Sequence, residues 1–150
     1  MKYIFLSILF FTYSLSFTKV EHKYFIEYTT NSNFDEIIYT LEDEMINNGF
    51  TVSFRSNLGK SVSLMSEHLN EKPIFINAKK IGFCKNSLGY EMMKENKNNL
   101  IYCPIDIVIY ETSHNKIKIL YETAKTLNKN DSVVHKVNKL ISKLIENILE

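Results

Sequence analysis

Pro104–Glu122, "PIDIVIYETSHNKIKILYE", is the most informative part of the sequence for the architecture, because it joins two runs of alternating large apolar residues through a short polar turn. A side-chain period of two is typical of a β-strand with one buried face. The turn, Thr112–Asn115, is short enough to connect antiparallel neighbours. The alternating residues predicted to face a core are Ile105, Ile107, Ile109, Ile117, Ile119 and Tyr121. The stretch therefore predicts a β-hairpin with one buried face.

Upstream of this hairpin, patterns typical of strands and helices alternate along the chain. Residues rich in β-formers, or alternating in polarity, predict strands at Lys23–Thr30, Phe50–Ser56 and Ile74–Cys84. Apolar residues at helical spacing separate these strands, and a short helix is predicted over Ser87–Asn96. A final amphipathic helix, 132–149, follows the hairpin. The order βαβαβαββα predicts a two-layer α+β sandwich, in which one mixed or antiparallel sheet carries helices mainly on one face.

The first two helices have predicted ends and faces. Ser32 or Asn33 caps the first helix, and Gly49 ends it in the left-handed conformation that glycine adopts readily. Its apolar stripe is Phe34, Ile37, Ile38, Leu41 and Met45. The stripe predicted for the second helix is Leu58, Val62, Met65 and Leu69. In the strand between the two helices, the residues predicted to share the buried face are Phe50, Val52 and Phe54.

Length and composition are those of one globular domain, predicted to span residues 17–150. The chain has 150 residues, of which 45% are hydrophobic and 23% charged, so it can bury a continuous core. Its formal net charge is only +1, with lysines scattered among acids. Nucleic-acid binding depends on a basic surface that releases counterions, so the composition argues against that class of function.

The first sixteen residues have the pattern of a signal peptide. Lys2 precedes the apolar run "YIFLSILFF", and Ser14 and Ser16 occupy the −3 and −1 positions of a cleavage site. The run is shorter than the roughly 20 residues that a membrane-spanning helix needs. The alternatives are an uncleaved membrane anchor and a buried first helix. The pattern predicts export to the periplasm or the medium, with no membrane attachment after cleavage near Ser16–Phe17.

No strong catalytic signature occurs in the sequence. It contains no GxSxG, GxGxxG, HExxH or CxxC motif, and it has only four glycines with which to build a phosphate-binding loop. The four histidines fall in different predicted elements, and Asp106 is most simply a solvated residue on the outer face of its strand. Catalytic groups are defined by geometry rather than order, but nothing in these residues argues for an enzyme.

The side chains suited to a soft metal are sulfur-containing residues and one histidine. Met65 and His68 lie three residues apart and so share a face of the second helix. With Cys84, Met92 and Cys103 they supply the ligands that Cu(I) prefers. The simpler interpretation is core packing, since methionine beside leucine at helical spacing normally fills a core. Both interpretations stay open, and no cofactor other than copper is predicted.

The two cysteines also suggest a disulfide. Cys84 ends one predicted strand and Cys103 begins the next, so antiparallel pairing of those strands would bring them together. An exported chain with an even number of cysteines is the setting in which a disulfide persists. The alternative is that both are small buried core residues. We predict a Cys84–Cys103 disulfide, or at least a spatially adjacent pair.

Three segments resemble the family called domain of unknown function 302, as an exported bacterial member. They are "LEDEMINNGFTVSF" (41–54), "INAKKIGFCKNSLGYEMM" (76–93) and "YCPIDIVIYE" (102–111). The shared features are a helix ending in Gly-Phe, a strand ending near Phe-Cys, a short helix, and a proline opening a strand that ends in Tyr-Glu. The resemblance covers residues 34–124.

The resemblance implies a small α+β domain that forms a homodimer, held by a sheet edge or by the last helix. It carries over no catalytic residue, because the family has no established activity. Many members have a basic residue two positions after the strand-opening proline, where this chain has Asp106. If that basic residue binds an anion in relatives, this chain would have lost that function or would carry the opposite charge at the site. We therefore predict an exported, non-catalytic module that binds a small ligand or a partner. The alternative is a periplasmic thiol or copper protein that uses Cys84 and Cys103.

Overall fold

The computed structural model describes residues 17–125 and 132–150. Six strands and four helices occur in this part of the chain, together with a 3-10 helix at Lys97–Tyr102. The strands are β1 (Phe17–Glu21), β2 (Phe25–Asn31), β3 (Thr51–Ser56), β4 (Asn77–Cys84), β5 (Ile105–Ser113) and β6 (Lys116–Glu122). The helices are α1 (Phe34–Asn47), α2 (Leu58–His68), α3 (Asn86–Glu95) and α4 (Ser132–Asn147). The predicted signal peptide, residues 1–16, lies outside the described residues.

All six strands form one open sheet in the order β1-β2-β6-β5-β4-β3. Every neighbouring pair is antiparallel. The predicted hairpin is β5 and β6, which pair at the centre of the sheet with Ile109 opposite Ile119. The predicted α+β class is confirmed, and the sheet is antiparallel rather than mixed.

The core lies between one face of the sheet and the helices. The residues predicted to face inward in the hairpin are buried, except Ile105, which is half-buried. From the helices, α1 contributes the predicted stripe in full: Phe34, Ile37, Ile38, Leu41 and Met45. The apolar residues that α4 contributes are Val134, Val137, Ile141, Leu144 and Ile145. The burial of the apolar strand residues against the apolar faces of the helices makes the main favourable contribution to the free energy of folding.

The ends of α1 follow from local chemistry, as predicted. Asn33 Oδ1 accepts hydrogen bonds from the backbone N–H groups of Asp35 and Glu36 at 3.0 and 3.1 Å, which caps the free donors of the first turn. Just beyond the other end, Gly49 has a φ of +79°, a left-handed conformation that costs glycine little. The chain then enters β3.

The prediction missed β1. Of its five residues only Phe17 is partly buried, so the strand shows no alternating apolar pattern that would reveal it. It forms because its backbone pairs with β2, from Phe17 opposite Thr30 to Glu21 opposite Ile26. The 3-10 helix before Cys103 was likewise absent from the predicted order.

The prediction that Phe50, Val52 and Phe54 share one buried face is wrong for Phe54. The register between β3 and β4 shifts between Val52 and Phe54, where a bulge adds one residue to β3. Phe54 therefore lies opposite Gly82 and is 37% exposed, whereas Phe50 is buried. A Cβ built on Gly82 would meet the Phe54 ring at 2.3 Å, so the ring lies across the space that glycine leaves free.

The stripe predicted for α2 is wrong for Met65 and Leu69, whereas Leu58 and Val62 are half-buried. Its buried residues are the small ones, Gly59 and Ser66, while Met65 and Leu69 are 57% and 55% exposed. The reason is a close approach between helix and strand, since a Cβ built on Gly59 would lie only 2.7 Å from the backbone nitrogen of Ala78 in β4. This contact turns the small-residue side of α2 toward the sheet and leaves Met65 and Leu69 exposed.

The buried apolar residues of α4 belong to the core, and a homodimer held by this helix stays a prediction. The outward residues of α4 are polar, and Lys136, Lys139 and Lys143 are among them. The two outer strands, β1 and β3, keep one unpaired backbone edge each within the described sheet. A homodimer held by a sheet edge stays a prediction. No helix in residues 17–125 or 132–150 is long and apolar enough to cross a membrane.

Candidate functional site

The structure places the two cysteines in contact. Cys84 ends β4, and Cys103 follows the 3-10 helix and precedes β5, which pairs with β4. Their Sγ atoms lie 2.8 Å apart, and both residues are half-buried free thiols. The disulfide stays a prediction, and the geometry needed to form it is present.

The surroundings of the pair are apolar. A cavity of about 10 Å³ lies beside the two thiols, and its apolar lining residues include Phe83, Leu88, Met92 and Ile105. Burial, reinforced by the neighbouring Cys84, raises the pKa of the Cys103 thiol to about 11. Cys103 is therefore protonated at neutral pH, and a protonated thiol is a poor nucleophile. This environment argues against thiol catalysis.

The five residues predicted as soft-metal ligands do not all line this cavity. Met92 does, and it is only 2% exposed. Met65 and His68 lie on the exposed side of α2 and are not among the residues that line the cavity. Within the described part of the chain, no group of three or more His, Cys, Asp or Glu side chains is placed to hold a metal ion.

A second candidate site is a groove that runs along the outer face of the sheet and past the first residues of β5. It consists of two cavities of about 280 and 250 Å³ that share two lining residues, Asp106 and Glu122. We call it the Asp106 groove. The other residues that line the first cavity are Ile101, Tyr102, Pro104, Ile105, Tyr121 and Ala124. The others that line the second are Tyr24, Phe25, Lys80, Val108 and Leu120.

Strand register explains why these residues meet. Phe25 on β2 lies opposite Glu122 on β6, and Asp106 on β5 lies opposite Gly82 on β4. All four therefore belong to neighbouring strands at the same level of the sheet. Because the helices cover the other face, the outward side chains of this row are accessible.

The polar groups of the groove carry an excess of negative charge. Lys80 Nζ contacts Asp106 Oδ2 at 2.6 Å, which neutralises one carboxylate. The other oxygen, Asp106 Oδ1, is buried and has no hydrogen-bond partner among the described residues. Glu122 is exposed and forms no side-chain ion pair within them. The expectation that Asp106 is simply solvated is wrong, because its side chain is only 28% exposed.

Another cavity, of about 690 Å³, lies between α4 and the first two strands. Its lining is mostly polar, and Lys19 there bridges Glu146 at 3.0 Å and Glu21 at 3.4 Å. Small-molecule sites are mostly apolar with a few placed polar groups. The Asp106 groove fits that description better, since aromatic and aliphatic side chains surround its three charges.

The sequence identified part of this groove. The sequence predicts that Asp106 lies on the outer face of its strand, but it gives no signal that Lys80 and Glu122 lie beside it. The only sequence signal for these residues is the alternation along each strand, which predicts the side chains that point outward. Only the strand order and register show which of these outward side chains lie next to one another.

The fold is that of an open-sheet α+β protein, and comparison with known proteins identifies its family. The chain matches Domain of unknown function DUF302 over residues 26–149 and belongs to that family. It is similar in fold to the crystal structure of an uncharacterized conserved protein DUF302 from Bacillus stearothermophilus. That similarity has a TM-score of 0.66 at 15% sequence identity, over 83% of this chain and 98% of the other. No curated protein matches the chain.

Proposed function

We propose that this protein is an exported, non-catalytic module whose Asp106 groove binds a small amine with an apolar body. The observation that carries the proposal is the junction of two cavities at Asp106 and Glu122 on the accessible face of the sheet. A ligand spanning both cavities would contact apolar walls on either side and the two carboxylates in the middle.

Charge selects the class of ligand. Apart from its tyrosines, the groove is lined by three ionisable side chains, those of Lys80, Asp106 and Glu122. Their total charge is −1. A protonated amine supplies both the positive charge and N–H donors for the Glu122 carboxylate. The ring of Tyr24 is already in contact with cations of the chain, Lys125 Nζ at 3.3 Å and Lys23 Nζ at 5.1 Å from its centroid, so the proposed amine contacts the Glu122 side of the groove and not this ring.

We expect 2-phenylethylamine to bind more tightly than the matched neutral compound 2-phenylethanol. Glu122→Gln removes the unpaired charge and should weaken amine binding about fivefold, or roughly 1 kcal/mol, as expected for an exposed charge pair. Backbone amide shifts in an NMR titration measure both affinities and locate the site.

The control variant is Glu67→Gln, which removes an equally exposed carboxylate on α2, outside the groove. Equal binding of the amine and the alcohol would contradict the charge argument. An absence of shifts around Asp106 and Glu122 with either compound would contradict the site itself.

Export is the part of the proposal that concerns location, and it rests on the signal-peptide pattern of residues 1–16. Cleavage near Ser16–Phe17 would leave β1, which begins at Phe17, available to pair with β2. We expect intact-mass spectrometry of the protein from its natural host to show an N-terminus near Phe17. Recovery of the chain with Met1 intact from the cytosol would contradict this.

A further inference from the structure

The small cavity beside the cysteines is lined by three sulfur-containing residues in a setting with few competing ligands. The Cys84 and Cys103 Sγ atoms are 2.8 Å apart, and Met92 lines the same cavity. The one lysine there, Lys85, donates its ammonium hydrogen bond to the carbonyl of Asn48 at 2.7 Å. We infer that the reduced Cys84–Cys103 pair, together with Met92, forms a site that binds one Cu(I) ion.

The ligand set decides between metals. Hard cations such as Mg²⁺ and Ca²⁺ need several oxygen ligands, and structural zinc needs four ligands from Cys, His, Asp or Glu. In the described part of the chain no three such residues are clustered, so neither coordination can be completed there. Two thiolates and a thioether are soft ligands and favour Cu(I).

Space for the ion comes from the cavity. Metal–thiolate bonds are about 2.3 Å long, so the two sulfur atoms must move apart until they are about 4 Å from each other or more. The cavity of about 10 Å³ adjoins both thiols.

The binding reaction is a ligand exchange without electron transfer. Cu(I) forms bonds to both sulfur atoms, each thiol releases its proton to water, and the copper keeps its oxidation state. The same two cysteines joined as a disulfide have no thiolate to offer. The site therefore exists only in the reduced protein, and oxidation of the pair abolishes it.

The test is competition for Cu(I) against the colorimetric chelator bicinchoninate, without oxygen and with the full mature chain kept reduced. We expect the protein to remove one Cu(I) per chain from the chelator. Cys84→Ser and Cys103→Ser should each weaken binding at least 100-fold, and Met92→Leu, which preserves side-chain volume, should weaken it about tenfold. Circular dichroism checks that each variant is folded.

Two matched controls separate this site from the wider set of five residues. Met65→Leu and His68→Asn alter soft ligands outside the cavity and should leave the affinity unchanged. Wild-type protein oxidised to the disulfide should bind no Cu(I), and this control needs no substitution. The inference is overturned if reduced protein with two free thiols takes no copper, if either cysteine variant binds normally, or if folded Met92→Leu matches wild type.

Discussion

Reducing the Cys84–Cys103 bond in protein taken from an oxidising compartment should lower its free energy of unfolding by about 3 kcal/mol. The two residues are 19 positions apart. In the chain-entropy description, closing a loop of that size lowers the conformational entropy of the unfolded chain and so raises its free energy by about this amount. The sulfur atoms stand 2.8 Å apart, so bond formation requires a movement of less than about 1 Å. Urea unfolding with and without a phosphine reductant measures the difference.

The double variant Cys84→Ser/Cys103→Ser is the control for this measurement. Its stability should not respond to the reductant, and it should match that of the reduced wild type. Labelling of denatured, unreduced protein with a maleimide provides an independent check. Two labelled cysteines per chain in material from an oxidising compartment would contradict the disulfide.

The second large effect is expected from Gly59→Ala, which should lower the free energy of unfolding by about 2 kcal/mol. The new Cβ would stand 2.7 Å from the backbone nitrogen of Ala78, closer than side chains tolerate, and backbone cannot rotate away. Forced displacement of packed elements costs about 1–3 kcal/mol, more than the helix propensity that alanine gains over glycine. Thermal unfolding followed by circular dichroism should show a Tm lower by about 6 °C.

Gly89→Ala is the matched control, because it makes the same change inside α3. Its Cβ would be 3.5 Å from the nearest atom, Cε of Met93, which is an ordinary contact. Alanine should therefore stabilise the protein by about 0.5–1 kcal/mol through backbone entropy and helix propensity. If the two substitutions changed the free energy of unfolding equally, the proposed close contact between α2 and β4 at Gly59 would be contradicted.

Much of the fold follows from local sequence, because the relevant signals act over a few residues. The alternation in β5 and β6 and the stripe of α1 each fix which side of an element is apolar. The cap at Asn33 and the left-handed Gly49 fix where α1 begins and ends. Such patterns predicted the antiparallel hairpin and its buried face without knowledge of any other element.

The errors occur where a contact between distant segments overrides the local pattern. One extra residue in β3 turns Phe54 to the outer face, and nothing in the alternation itself marks that bulge. In α2, hydrophobicity favours a stripe through Met65, yet the helix packs through Gly59 because only small residues allow so close an approach to β4. The edge strand β1 depends on hydrogen bonds to β2 and carries no apolar signature.

For the candidate sites, the local sequence sets the chemistry of each side chain, whereas the packing of the elements sets which side chains meet. The sequence supplied two cysteines at strand ends, soft side chains and an unusual acid at Asp106. The position of α3, directly after β4, places Met92 rather than Met65 beside the thiols, and the order and register of the strands set Asp106 with Lys80 and Glu122 in one groove. The physical reason is that side-chain type is a local property, whereas proximity depends on pairing between strands far apart in the chain.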